Sequence, residues 1–211
     1  MIAIVDYGLA NLRSVQKALQ RVAPEVGLAV EDVRIVSSPV EASEASHLVL
    51  PGVGALRDAM GQLKESGFDK AVHGHIETGR PFLGICLGLQ MLFDRGYENG
   101  EHACLGILPG EVVRFDVDQS HRLKVPHMGW NTLDVQHESP LTTSYEAGQS
   151  VYFVHSYHAV CERAADVATT TTYGKKFVSS VRRDNVMATQ FHPEKSQSAG
   201  LSMLRAFASQ A

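Results

Sequence analysis

Five consecutive residues, Gly84-Ile85-Cys86-Leu87-Gly88, hold the best candidate nucleophile of this chain. The apolar run Phe82–Ile85 leads in as an expected strand, and a helix expected over Leu87–Phe93 leads out. A nucleophile at a sharp strand-to-helix turn between two glycines is the elbow pattern of many hydrolases. The glycines leave room for the chain to fold back, so the side chain projects from the end of the sheet. A helix N-terminus favours thiolate over thiol, and the Leu87 amide would face a developing oxyanion. A buried structural cysteine is the plain alternative. Glycines at both offsets favour chemistry, whereas Cys104 and Cys161 lack such a frame and read as structural.

A cysteine hydrolase needs an imidazole to move the proton and a third group to orient the ring. Ten histidines compete. Most have no neighbour that singles them out, among them His47, His73, His75, His102, His121, His137 and His158. His192 ends the apolar segment Val186–Phe191 and precedes Pro193-Glu194. Histidine and glutamate at i and i+2 of an extended segment project to one side, so Glu194 would take the ring nitrogen facing away from Cys86. The same spacing equally describes a turn with a surface His–Glu contact. The order Cys…His…Glu differs from the Ser…Asp…His of α/β-hydrolases, so generic hydrolase logic leaves the family open.

Leu50-Pro51-Gly52-Val53-Gly54 follows another apolar strand. In a parallel sheet it would lie at the same edge as Cys86. Glycines let the backbone approach a ligand closely, and the amide of Val53, beside Gly52, would be a second oxyanion donor. Taken alone, the segment is an ordinary tight turn. Arg57 stands where a dinucleotide fingerprint needs its third glycine, and no P-loop is present.

These residues need a scaffold. Residues 1–5, 33–36, 47–50 and 82–85 read as strands. Residues 12–22, with Asn11 placed to cap, 55–65 and 68–78 read as amphipathic helices. That alternation implies a mainly parallel sheet covered on both faces. Segments 111–117, 122–125, 131–135, 151–154, 166–172, 177–182 and 186–190 read as strands separated by turns, hence antiparallel additions to the sheet. A last helix, 197–208, would pack Leu201, Leu204 and Phe207 inward. The expectation is one α/β domain over residues 1–211, with helices on both faces of a mostly parallel central sheet.

Composition excludes several classes. With 211 residues, 44% of them hydrophobic, one substantial core is available. A net charge of −4 argues against a nucleic-acid partner. The opening residues do not resemble a signal peptide, and no apolar run is long enough to span a bilayer. Three cysteines without CxxC spacing argue against a disulfide framework and fit a cytoplasmic location.

Together these segments resemble the class I (triad) glutamine amidotransferases. Gly84-Ile-Cys-Leu-Gly-Leu-Gln90 is similar to that family's nucleophile motif, Phe191-His-Pro-Glu194 to its His/Glu motif, and Leu50-Pro-Gly-Val-Gly54 to its oxyanion strand. Ile4-Val-Asp-Tyr-Gly8, Asn11-Leu-Arg-Ser-Val15, Pro126-His-Met-Gly-Trp-Asn131, Tyr152-Phe-Val-His-Ser-Tyr157 and His192-Pro-Glu-Lys-Ser196 resemble one branch, the glutaminase subunits of imidazole glycerol phosphate synthase. Ala10 stands where that branch often has glycine.

The resemblance implies glutamine hydrolysis through a Cys86 thioester, with His192 and Glu194 completing the triad and Gly52, Val53 and Leu87 forming the oxyanion hole. It implies glutamine contacts at Gln90, Glu98, Ser156 and Tyr157, and partner contacts at Asn11, Trp130, Tyr152 and Lys195. The implied partner is a (β/α)8-barrel cyclase of histidine biosynthesis, expected as a separate chain that receives the ammonia. No metal or organic cofactor is called for. Competing readings are a glutaminase serving another synthase, a non-catalytic binding subunit on the same fold, and a redox-sensing cysteine protein.

Overall fold

The computed structural model describes residues 1–116 and 123–210. Its first strand, β1 (Ile2–Val5), is buried along its whole length. Ala3 and Val5 enter one apolar cluster, while Ile2 and Ile4 enter another on the opposite face. A strand buried on both faces reads as a continuous apolar run, the signature of a parallel sheet. β2 (Val33–Val36), β3 (His47–Gly52), β4 (Phe82–Cys86) and β14 (Val186–Thr189) join it in the order β2-β1-β3-β4-β14, all parallel.

Helices cover both faces. α1 (Leu12–Val22) buries Val15, Ala18, Leu19 and Val22, the i, i+3, i+4, i+7 stripe of an amphipathic helix. α6 (Gln197–Ala208) packs beside it through Leu204 and Phe207. On the other face lie α2 (Pro39–Glu44), α3 (Leu56–Glu65) and α4 (Phe68–Glu77), which bury Ala42, Leu56, Leu63, Phe68 and Val72. Each fully buried leucine or phenylalanine contributes about 1.5–3 kcal/mol, so both layers hold the sheet.

The α/β architecture is as expected, and several details differ. α2 was not foreseen, although Ser38 caps it by accepting the Val40 N–H at 3.3 Å and Pro39 opens it. Asn11 makes no cap hydrogen bond; its φ of −84° and ψ of 63° lie outside the extended conformation of an N-cap. The helix expected over 87–93 is α5, only Leu87–Gln90. After Gln90 the bonds tighten to i→i+3, Leu92 N–H to the Leu89 carbonyl at 3.1 Å and Phe93 N–H to the Gln90 carbonyl at 3.4 Å, and the carbonyls of Met91, Leu92 and Phe93 go to the amides of residues 105–108 at 2.8–2.9 Å, so the helix does not resume.

In the second half, β13 (Lys175–Arg183), β12 (Val167–Tyr173) and β9 (Asp134–Val135) extend the main sheet antiparallel. The other strands do not join it. β8 (His127–Thr132) pairs with β10 (Ser150–His155) in a separate ribbon. β11 (Tyr157–Cys161), β7 (Gly110–Arg114), β5 (Arg95–Gly96) and β6 (His102–Ala103) make a third sheet. Turn-separated runs look alike in sequence whichever sheet they enter. Residues 123–125 form no strand; residues 117 and 122 of the expected runs, and His121, lie outside the described residues. Among the described residues no helix is long and apolar enough to cross a membrane.

Candidate active site

β4 enters α5 with no intervening loop, so Cys86 itself makes the turn. It has φ 55° and ψ −106°, a left-handed conformation that side chains rarely adopt. The flanking glycines have steric reasons. A Cβ on Gly88 would run into the Leu50 carbonyl of β3, and one on Gly84 would sit 2.9 Å from the Gly88 oxygen and 3.1 Å from Ala188 Cβ. Close packing of β3, β4 and β14 against the elbow thus sets the backbone that presents the sulfur. Since α5 has one turn only, it offers Cys86 a few free amides rather than a long dipole.

His192 leaves the end of β14, one strand over from Cys86. Its Nδ1 lies 2.8 Å from Glu194 Oε1, with both side chains almost fully buried. The contact is not made along an extended segment: Pro193–Lys195 is a 3-10 turn that brings the carboxylate back to the ring. Ser196 clamps this turn. Its hydroxyl donates to the His192 carbonyl at 2.6 Å and accepts the Tyr152 N–H at 3.0 Å. With Glu194 accepting, the proton on the neutral ring sits on Nδ1, which leaves Nε2 able to accept a proton. Nε2 is buried without a hydrogen-bond partner. Burial alone lowers the pKa of His192, but the Cys86 sulfur and the Glu194 carboxylate raise it more, to about 10. The short-range influence of the Cys86 sulfur is the largest of those that raise it, although Nε2 has no partner within hydrogen-bond geometry. Burial pushes the Cys104 thiol up to about 11 and that of Cys161 to about 12.

Gly52 pairs in register with Cys86 at the end of β3. The next amide, Val53 N–H, donates to the Leu9 carbonyl at 3.1 Å, so in this conformation it is committed to the loop before α1. Gly52 is packed under Tyr7, whose hydroxyl would stand 2.6 Å from a Cβ there. That hydroxyl is buried without a partner, and burial together with nearby Cys86 raises its pKa.

A cavity of about 420 Å³ opens over Cys86, a size suited to a small ligand. Val53, Leu87, Gln90, Glu98, Ser156, Tyr157, His192 and Lys195 all line it. Gln90 donates to the Tyr157 carbonyl at 2.9 Å and to Gln190 Oε1 at 3.0 Å. Glu98 also has a structural task, accepting the Leu56 N–H at the start of α3 at 2.7 Å. Trp130 and Tyr152 meet edge to face at 5.8 Å on the β8–β10 ribbon, and Lys195 Nζ lies 5.7 Å from the Tyr152 ring centre. Asn11 lies elsewhere, lining a small crevice with Gly52, Val53, His192 and Glu194. Among the described residues no cluster of side chains is arranged to hold a metal. Gln190 went unnoticed in the sequence, although it is an amide inside the apolar stretch Val186–Phe191; it is fully buried and donates to the Cys86 sulfur at 3.7 Å.

The model of the class-I glutamine amidotransferase family matches residues 4–211, and the chain belongs to that family. Among solved structures it shares its fold with a glutamine amidotransferase (TM-score 0.66, 21% identity, 95% of both chains covered) and with the glutaminase domain of Trypanosoma brucei CTPS with bound acivicin (TM-score 0.65, 16% identity, covering 100% of this chain and 94% of that one). Within the family it falls among the HisH proteins. It is 53% identical over 210 residues to imidazole glycerol phosphate synthase subunit HisH of Syntrophotalea carbinolica, with 98% of each chain covered. It is 52% identical over 205 residues to the HisH subunit of Aquifex aeolicus, covering 97% of this chain and 94% of that one.

Proposed function

We propose that this chain hydrolyses glutamine to glutamate and ammonia, and that it passes the ammonia to a cyclase partner making imidazole glycerol phosphate. One observation carries the reading. A cysteine held at positive φ shares a 420 Å³ cavity with a buried histidine whose far nitrogen is held by glutamate.

Cys86 gives its proton to His192 Nε2, and the thiolate attacks the side-chain amide carbon of glutamine. The Leu87 amide, joined by Val53 when available, stabilises the tetrahedral oxyanion. His192 returns the proton to the departing nitrogen, the carbon–nitrogen bond breaks, and ammonia leaves a γ-glutamyl thioester. His192 then takes a proton from water, whose oxygen attacks the thioester. Glutamate departs and the sulfur is regenerated. Glu194 orients His192 and stabilises its charged form. Gln90, Glu98, Ser156 and Tyr157 hold the substrate, and no metal or organic cofactor is needed.

The partner is a (β/α)8-barrel cyclase that docks on Asn11, Trp130, Tyr152 and Lys195. In support, Trp130 is 48% exposed and Met128 62%, large apolar groups on one ribbon, and Trp130 meets Tyr152, over whose ring lies Lys195 of the cavity lining. Docking also gates the chemistry. The Val53 N–H bonded to Leu9 is unavailable to an oxyanion, and one missing donor costs roughly 10²–10³ in turnover. Rotation of the Gly52–Val53 peptide would supply it, and a partner favours that state only by binding it more tightly. The test is glutamine hydrolysis by the chain alone, with the cyclase, and with the cyclase plus its nucleotide ligand. Rates should rise at least a hundredfold across the series; equal rates would refute the gate.

A further inference from the structure

We infer that Gln190 is a further catalytic residue of this site: its side-chain N–H donates to the Cys86 sulfur and favours the thiolate, while its carbonyl fixes the Gln90 amide that faces the substrate. This rests on the reading of Cys86 as nucleophile.

One fixed acceptor orients the whole series. The Tyr157 carbonyl can only accept, so the Gln90 group 2.9 Å from it must be its NH2. That NH2 also lies 3.0 Å from the side chain of Gln190, which must therefore present its oxygen. The remaining end of Gln190 is then its own NH2, and it lies 3.7 Å from Cys86 Sγ. One backbone carbonyl thus sets the orientation of two amides in series, and the series ends with an N–H aimed at the sulfur.

Both amides are well held. Gln190 is 0% exposed, and its backbone N–H is tied to Ser179 at 2.8 Å. Gln90 is 5% exposed, and with its NH2 engaged on two acceptors its free capacity is the carbonyl oxygen. Gln90 lines the cavity, so an acceptor is what it offers the ammonium group of an amino-acid substrate. Without Gln190, the Gln90 amide would lose one of two restraints.

The need for such a donor follows from the elbow. α5 is a single turn, and the Val53 amide is committed to Leu9. A thiolate in a buried site requires positive partners nearby. His192 supplies the charge, and Gln190 adds a fixed dipole that costs no reorganisation. Hydrogen bonds to charged groups are the stronger kind. The N···S distance is long for its type, which places the effect at about one pH unit on thiolate formation.

The experiment measures the pH dependence of Cys86 alkylation by iodoacetamide, read by peptide mass spectrometry, in the parent chain and in Gln190→Met, Gln190→Glu and His192→Ala. Gln190→Met should move the profile up by about one pH unit and raise the KM for glutamine in the cyclase complex. Gln190→Glu keeps an acceptor for Gln90 but turns a negative group toward the sulfur. Its profile should move up at least as far, with KM near that of the parent, and it remains informative if the Met variant fails to fold. His192→Ala should also move the profile up. If His192→Ala shifts the profile and neither folded Gln190 variant does, Gln190 is only a packing residue and the inference is overturned. If none of the three shifts it, the reading of Cys86 and His192 as a pair fails as well.

Discussion

Replacing Cys86 separately by alanine and by glycine reads the strain stored in the elbow. Both changes remove the sulfur, so the pair differs only in one methyl and in backbone freedom. At a relaxed, buried position glycine would be the worse choice. It loses about 0.5–1 kcal/mol more backbone entropy and about 0.8 kcal/mol of methyl burial, roughly 1.5 kcal/mol together. Cys86 is not relaxed: φ is 55° and ψ −106°, far from the left-handed helical well. A Cβ-bearing residue there costs about 1–3 kcal/mol, with the upper half expected because ψ is also displaced. The strain therefore reverses the sign, and Cys86→Gly should be more stable than Cys86→Ala by about 1 kcal/mol. For a chain of this size that is about 2–4 °C in melting temperature. Thermal unfolding of the two variants side by side is the assay. An alanine variant more stable than the glycine variant would refute the claim that the backbone at residue 86 is strained.

Two further outcomes follow from the same geometry. His192→Ala should remove nearly all glutamine-dependent turnover. Glu194→Gln should harm it less, because the amide still positions the ring but supports the imidazolium poorly; ammonia-driven activity of the complex should survive both, and its loss would show a structural role instead. Buried His155, beside His127, His158 and His192, has its pKa lowered to about 3 by burial. The unfolded chain, with histidine near its usual 6.5, then binds the extra proton first, so stability falls as pH drops from about 6.5 toward 3. At pH 5 this costs about 2 kcal/mol. The gap between urea midpoints at pH 7 and pH 5 should narrow in His155→Gln, the rest coming from other buried histidines such as His127, whose pKa burial lowers to about 4, and an unchanged gap would exclude His155 as a source.

What was legible in the sequence and what was not separate along physical lines. Buried parallel strands and amphipathic helices announce themselves through apolar period, so β1 to β4, α1 and α6 were readable to within a residue or two. The partition of the later strands among three sheets was not, because it depends on which edge each strand meets rather than on its own pattern. α5 tightens into i→i+3 turns after Gln90, and the carbonyls that would carry it past residue 93 are bound by residues 105–108, distant in sequence. At the candidate site, residue type and spacing single out Cys86, His192 and Glu194 as candidates but leave a structural cysteine and a surface His–Glu contact open, and it is the family resemblance that joins them into a triad. The His–Glu contact is nevertheless made across a 3-10 turn rather than an extended strand. The commitment of Val53 to Leu9 and the Gln90–Gln190–Cys86 series are side-chain and backbone pairings across the fold, which no local pattern encodes.

The central claim is that Cys86 is the nucleophile of a glutaminase. A glutamine-mimicking diazo-ketone, incubated with the chain in its cyclase complex and followed by peptide mass mapping, tests it most directly. The account predicts one γ-glutamyl-like mass on Cys86 and none on Cys104 or Cys161, whose thiols burial keeps protonated. Labelling at either of those cysteines, or an unmodified Cys86 in the activated complex, would contradict it.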